Sequence, residues 1–217
     1  MSVRPETCAG SPEGVKYINP QEIPGVWRAH ELASVKARST GHGALDALLP
    51  GGGWPIGALT ELVPLIEGIG EVALLQMALK RLCDEKRHIV FVHPPYIPYA
   101  PALLSAGLPL PRVLWIDAAH DEDAHWAAEQ TLREGAAGAV LLWSHAVADR
   151  PLRRLQLAAE AGESLAFIYR PAMTLDSSSP AALRIVLRPA PAALEVEVLK
   201  TRGGRGGAVS LPVHAHV

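Results

Sequence analysis

The stretch from Gly51 to Leu82, GGGWPIGALTELVPLIEGIGEVALLQMALKRL, constrains this chain more than any other. Three glycines, Gly51, Gly52 and Gly53, make a turn into an apolar run, Ala58 to Val63, which predicts a buried strand. A short loop from Pro64 to Gly70 follows. Beyond it Val72, Leu75, Leu79 and Leu82 recur three and four residues apart, the spacing of the buried face of a helix. Strand, glycine-containing loop and helix N-terminus form the frame on which phosphates bind, because free N–H groups and the helix dipole point at the anion.

The chemistry of such a loop is missing from the frame. The pattern G-x-x-x-x-G-K-[ST] supplies glycines so that backbone N–H groups wrap the phosphates, a lysine for their charge and a hydroxyl for Mg²⁺. Counted back from Gly70, the first glycine position holds Leu65, the lysine position Glu71 and the hydroxyl position Val72. Glu71 sets a carboxylate against the anion, and Val72 has no oxygen for a metal. Two readings stand: a phosphate-binding loop that has lost its nucleotide, and an ordinary strand–turn–helix that never held one.

The 217 residues suffice for one domain with a full core, and the hydrophobic share of 49% predicts a globular chain. A formal net charge of -2 gives no global attraction for nucleic acid, so any such site must be local. Cys8 and Cys83 are too few for a disulfide framework or a Cys-rich zinc site, and suit a reducing cytoplasm. The opening MSVRPETCAGSPEG has no apolar signal core, and no apolar run approaches the roughly 18–20 residues that span a bilayer. A cytoplasmic protein is expected.

Read in order, residues 1–37 form a flexible segment with a short helix after Pro24, on which Trp27 is the large apolar anchor and a candidate docking residue. Gly43 to Leu49 reads as a turn or two of helix capped by Ser39 or Thr40. After the helix that ends near Lys86, the chain alternates. Strands are expected at His88 to His93, Val113 to Asp117, Val140 to Trp143 and Leu165 to Tyr169. Helices are expected at Pro101 to Gly107, Asp121 to Arg133 and Arg150 to Ala161, with Asp121 as a cap and Gly135 and Gly162 as stops. Alternation of this kind implies right-handed crossovers and a mainly parallel sheet with helices on both faces. Leu183 to Arg188 and Leu194 to Thr201 alternate at period two and predict an antiparallel pair at the sheet edge, and residues 204–217 a flexible tail.

This order of elements resembles the RecA recombinase core, most closely its diverged ImuA family from bacterial error-prone translesion cassettes. The likeness covers residues 38–203. It is carried by STGHGALDALLPGGGWPIGALTEL, the loop and helix above, PPYIPYAPAL, WAAEQTLREGAAGAVLLW and LEVEVLKTRGGRGG. The resemblance implies an α/β fold of the RecA-like, P-loop NTPase type: a mainly parallel twisted sheet flanked by helices, with an antiparallel C-terminal strand pair and a degenerate P-loop. It aligns Pro95 with the residue that activates water and Trp143 with the aspartate that supports Mg²⁺. Leu65, Gly70, Glu71, Val72, Pro95 and Trp143 would then mark a nucleotide site without clamp, metal ligand or base, and no ATPase activity and no cofactor are expected.

The resemblance further implies a non-catalytic adaptor of SOS-induced mutagenic DNA synthesis, nucleoid-associated when induced. Its implied partners are RecA and ImuB, an inactive relative of Y-family polymerases, with an error-prone replicative-type polymerase reached indirectly. A SulA-type division inhibitor binding FtsZ and a noncanonical ATPase or DNA-binding recombination protein are the rival readings. The loops matching the DNA-gripping loops, Ser144 to Pro151 and Ala172 to Pro180, look short.

Several smaller constellations remain. His120, Asp121, Glu122, Asp123 and His125 offer metal-ligand types, but an acidic first turn complementing the helix dipole is the preferred reading, and no metal is expected. His93 beside two prolines has the chemistry of a general base, but with no recognisable nucleophile a structural, hydrogen-bonded histidine is the preferred reading. Arg150, Arg153 and Arg154 offer phosphate contacts to DNA or a solvated face. Lys200, Arg202 and Arg205 form a second basic patch, a solvated face or a contact for phosphates or partner carboxylates; by resemblance Lys200 and Arg202 face a neighbouring protomer.

Overall fold

Among the described residues, eight strands pair into one sheet in the order β10-β9-β8-β3-β7-β6-β4-β5. They are β3 (Ala58–Pro64), β4 (His88–Val92), β5 (Val113–Ile116), β6 (Ala137–Trp143), β7 (Leu165–Tyr169), β8 (Leu183–Ala190), β9 (Ala193–Thr201) and β10 (Gly207–Pro212). The structure is a computed structural model that describes residues 35–145, 149–202, 204 and 206–212. The expected helix after Pro24, Trp27 and Arg205 therefore lie outside the described residues.

The strands from β8 across to β5 run parallel to one another. Inside the half-exposed edge strand β5, the strands β4, β6, β7 and β3 are buried on both faces, so they read as nearly continuous apolar runs. Their side chains nevertheless alternate between two cores. Phe91, Leu141, Phe167 and Ile185 point to one face, where Ala78, Leu79 and Leu82 of α2 (Gln76–Asp84), with Leu75 just before it, cover them. Val90, Val92, Val140, Leu142 and Ile168 point to the other, beneath α4 (Asp121–Arg133) and α5 (Asp149–Gly162). The expected layering, with helices on both faces of a mainly parallel sheet, is present. Two shorter helices are α1 (Gly43–Asp46) and α3 (Ala100–Ser105). Among the described residues no helix is long and apolar enough to cross a membrane.

Four local expectations are corrected. The sheet does not end at Thr201, because Gly207–Pro212, placed in a flexible tail, pairs antiparallel with β9 from Val198 to Ala193. Leu211 of that strand is buried and Val209 packs on the first core, which gives the tail a reason to stay. The helix after the Pro64–Gly70 loop starts late: Ala73–Leu75 form a 3-10 turn, and α-helix begins only at Gln76.

Neither predicted cap occupies its position. His42 stands at the start of α1, since Asp46 draws Ser39 and Thr40 inward: Ser39 Oγ donates to Asp46 Oδ2 (2.7 Å) and the Thr40 N–H to Oδ1 (2.8 Å). His120, with extended backbone, is the cap position of α4, and Asp121 is the first helical residue. The Asp121 carboxylate accepts instead from the His145 N–H at 3.0 Å. The triple-glycine turn also serves a small second sheet, in which β1 (Ala37–Arg38) pairs antiparallel with β2 (Trp54–Pro55).

Candidate cleft at the carboxyl ends of the strands

In open α/β sheets the crevice beyond the carboxyl ends of the strands, where strand order reverses, is where ligands bind. Here β3 lies between β7 and β8, while the chain leaving β3 crosses to β4 on the far side of β6. The reversal brings together the ends of β3, β4, β6 and β7. A cleft of about 630 Å³ opens there, walled by Pro64, Glu67, His93, Asp117, Ser144 and Arg170 among others. A second cavity of about 320 Å³ adjoins it and shares Glu71, Pro94, Pro95 and Trp143 as walls.

The loop after β3 closes on itself. Gly68 (φ 77°) and Gly70 (φ 96°) take left-handed backbone conformations that L side chains rarely adopt. The turn this allows brings the Gly68 N–H to Glu71 Oε1 at 3.0 Å. Glu71 is 9% exposed, and its Oε2 is buried without a hydrogen bond. Its carbonyl oxygen accepts from Tyr169 Oη at 3.2 Å. Burial, reinforced by the nearby Glu71 charge, pushes the Tyr169 phenol well above its ordinary value, so it stays a neutral donor. Val72 packs on the first core, and Leu65 ties the loop to β8 through its N–H and the Leu187 carbonyl (3.0 Å). The Gly68 N–H thus meets a carboxylate of the same loop.

Trp143 fills the end of β6. It stacks on Tyr169 with ring centroids 4.5 Å apart and planes at 15°, and on Phe91 at 5.9 Å and 16°. Three adjacent strands thereby carry one aromatic ladder across the floor of the cleft. Pro95 is exposed on the loop after β4, one residue beyond Pro94 and two beyond His93. His93 takes a left-handed backbone (φ 53°) and gives its N–H to the Ile116 carbonyl at 2.9 Å, which turns the chain sharply out of β4.

A buried charge cluster that the sequence reading missed lies beneath the cleft. Arg170 Nη1 donates to Glu61 Oε1 at 2.9 Å, and Arg184 Nη2 lies 3.3 Å from the same oxygen. Glu61 and Arg170 are fully buried side chains, and Arg184 is 8% exposed. The signal was present: a glutamate in the middle of the apolar run ALTELV. Its partners lie 109 and 123 residues away in sequence, which spacing cannot reveal.

The remaining candidates scatter. His125 Nε2 lies 2.8 Å from Ser144 Oγ, a buried pair that ties α4 to the end of β6. Burial holds the His125 imidazole below its ordinary value, opposed by the Asp121 charge and helped by the Arg170 charge. Among the described residues no three His, Cys, Asp or Glu side chains converge as a metal site. Arg154 pairs with Glu129, as does Arg133, while Arg150 and Arg153 are exposed on α5. Lys200 turns back on its own chain, donating from Nζ to the Ser179 carbonyl at 2.5 Å; burial, with Arg202 and Arg184 nearby, lowers its pKa. Arg202 is exposed beyond the end of β9.

No family model matches the chain, and no curated protein matches it. Among solved structures, the crystal structure of SulA from Pseudomonas aeruginosa is similar at 23% identity, over 52% of this chain and 98% of that chain, with a TM-score of 0.44.

Proposed function

We propose that this chain is a non-catalytic RecA-like adaptor of the SOS-induced translesion DNA synthesis machinery, of the ImuA type, and that it works by contacts with RecA and ImuB. The observation that carries the reading is the Gly68–Glu71 hydrogen bond. In a working phosphate-binding loop that N–H and the following lysine face the nucleotide. Here a tethered carboxylate has the place, and a second anion about 4 Å away would be opposed by on the order of 1–4 kcal/mol. The stacked Trp143 and the exposed Pro95 stand where the resemblance aligns a metal-supporting aspartate and a general base. On the alignment that the resemblance gives, the cleft lacks the side chains that nucleotide chemistry needs, which supports a role in assembly.

The test has two arms. Calorimetry with Mg²⁺ and ATP should show no binding at millimolar nucleotide; micromolar binding would move the reading to a noncanonical ATPase. Pull-downs with purified ImuB, RecA and FtsZ should retain the first two. Retention of FtsZ alone would replace the adaptor with a division inhibitor.

A further inference from the structure

We propose that the paired cavities receive a short segment of a partner protein in which a large apolar side chain stands beside a lysine or arginine. This rests on the adaptor reading and specifies the chemistry of its partner.

The smaller cavity, about 320 Å³, is a socket for one large side chain. Its floor is the Phe91 and Trp143 pair, and its walls come from Val72 and Leu103, so it selects an apolar group. Its mouth is surrounded by apolar surface that a ligand confined to the cavity would leave wet. Tyr96 and Ile97 are each 73% exposed and Tyr99 71%, all on the loop that forms one wall. A polypeptide passing over the mouth covers that surface, and buried aromatic anchors surrounded by such a rim dominate the energy of protein interfaces. The loop is also stiffened in advance by Pro94, Pro95 and Pro98, which reduces the ordering that binding requires.

Charge selects the neighbour of the anchor. The larger cleft shares a wall with the socket and carries the carboxylates of Glu67, Glu71 and Asp117. The guanidinium in that cleft, Arg170, is ion-paired with the buried Glu61. Glu71 presents one carboxylate oxygen to Gly68 and keeps the other, buried, without a hydrogen bond. The balance is negative, so a cation next to the anchor is attracted and an acidic segment repelled.

The probe is a display library of random short peptides, selected on the full chain. Peptides that enrich should pair an aromatic or long aliphatic residue with an adjacent Lys or Arg. Ala102 is exposed at the mouth of the socket, so Ala102→Trp plugs it from the solvent side. Affinity of the enriched peptides, read by fluorescence anisotropy, should fall about thirtyfold in Ala102→Trp and about fivefold in the exposed Glu67→Lys, with both variants melting like the parent. The proposal is overturned if nothing enriches, if enriched sequences lack the pair, or if Ala102→Trp leaves affinity unchanged. It is equally overturned if free indole fills the socket while peptides do not, or if sedimentation shows a self-associated chain that Ala102→Trp dissociates. In those last cases the occupant is a small apolar molecule or a second copy. Failure of this proposal with no ATP bound leaves the adaptor reading standing, whereas micromolar ATP binding removes that reading first.

Discussion

Glu61 is a carboxylate in the middle of a buried strand, and two guanidinium groups hold it there. Such a cluster is tolerated because each charge has partners; it is weak evidence for stability, yet breaking it is costly. Glu61→Ala would leave Arg170 and Arg184 buried without their shared carboxylate, and should cost about 3–5 kcal/mol in urea unfolding. A loss below about 1 kcal/mol would mean that the guanidinium groups reach water in the variant. His125 makes a second prediction, on pH. Its folded pKa lies below the unfolded value near 6.5 because burial disfavours the cation. A group shifted this way contributes stability that is full above the unfolded pKa and is lost as pH falls through the folded one. Stability should therefore decline as the solution is acidified below about 6.5. His125→Gln should remove that part of the slope, while costing about 1–2 kcal/mol at neutral pH through the weakened bond to Ser144. An unchanged slope in the variant would assign the acid sensitivity to other groups.

The connection between β7 and β8 shows how elements rather than residues decide what is available for binding. Arg184 donates to the carbonyl groups of Thr174, Leu175 and Ser177, and Lys200 to that of Ser179. The segment that the resemblance aligns with a DNA-gripping loop is stapled down onto the sheet at these points. Arg184→Ala should raise amide exchange across residues 174–179 by about tenfold or more, corresponding to the loss of charge-assisted bonds. The ends of α4 and α5 are set by contact as well as by sequence. A Cβ on Gly162 would stand 1.8 Å from the Leu132 carbonyl oxygen, so Gly162→Ala must push two helix ends apart and should cost about 1–3 kcal/mol in thermal unfolding. Both stops, and the strands from β3 to β9, were legible because apolar runs bounded by Gly and Pro leave few alternatives. β10 was not legible: it follows a glycine-rich turn, and its one buried side chain, Leu211, gives no period to read. The late start of α2 was hidden for a related reason. Val72, Leu74 and Leu75 are as well spaced for a 3-10 turn as for α-helix, and the Glu71–Gly68 closure that delays the helix is a tertiary choice.

At the scale of the molecule, strand order separates two charged ends. The cleft with Glu67, Glu71 and Asp117 lies beyond the carboxyl ends of the parallel strands. β9 runs antiparallel to β8, so its last residues return toward the amino end, where Leu183 pairs with Thr201 and the Arg202 N–H bonds the Ala182 carbonyl. The strand, loop and helix that frame the cleft were legible in the stretch from Gly51 to Leu82, but this opposition was not, since no local pattern reports where β9 docks. On the adaptor reading the two ends have different uses. A head-to-tail filament of RecA can accept one more copy of the fold at an end, through one of two unlike faces. The basic end can meet a neighbour's nucleotide or carboxylates, while the acidic cleft offers no nucleotide for a further protomer to bridge. Such a chain would cap a filament without extending it. Lys200 is a poor probe of this idea, because its ammonium holds Ser179 and a substitution would release the loop. Arg202 is exposed and tests the face alone. Arg202→Glu should reduce capture on RecA filaments, formed on single strands with a nonhydrolysable nucleotide, by about tenfold, with melting temperature and ImuB binding unchanged. Undiminished capture by Arg202→Glu would place the contact with RecA elsewhere on the domain, and loss of ImuB binding in the same variant would assign this face to ImuB instead.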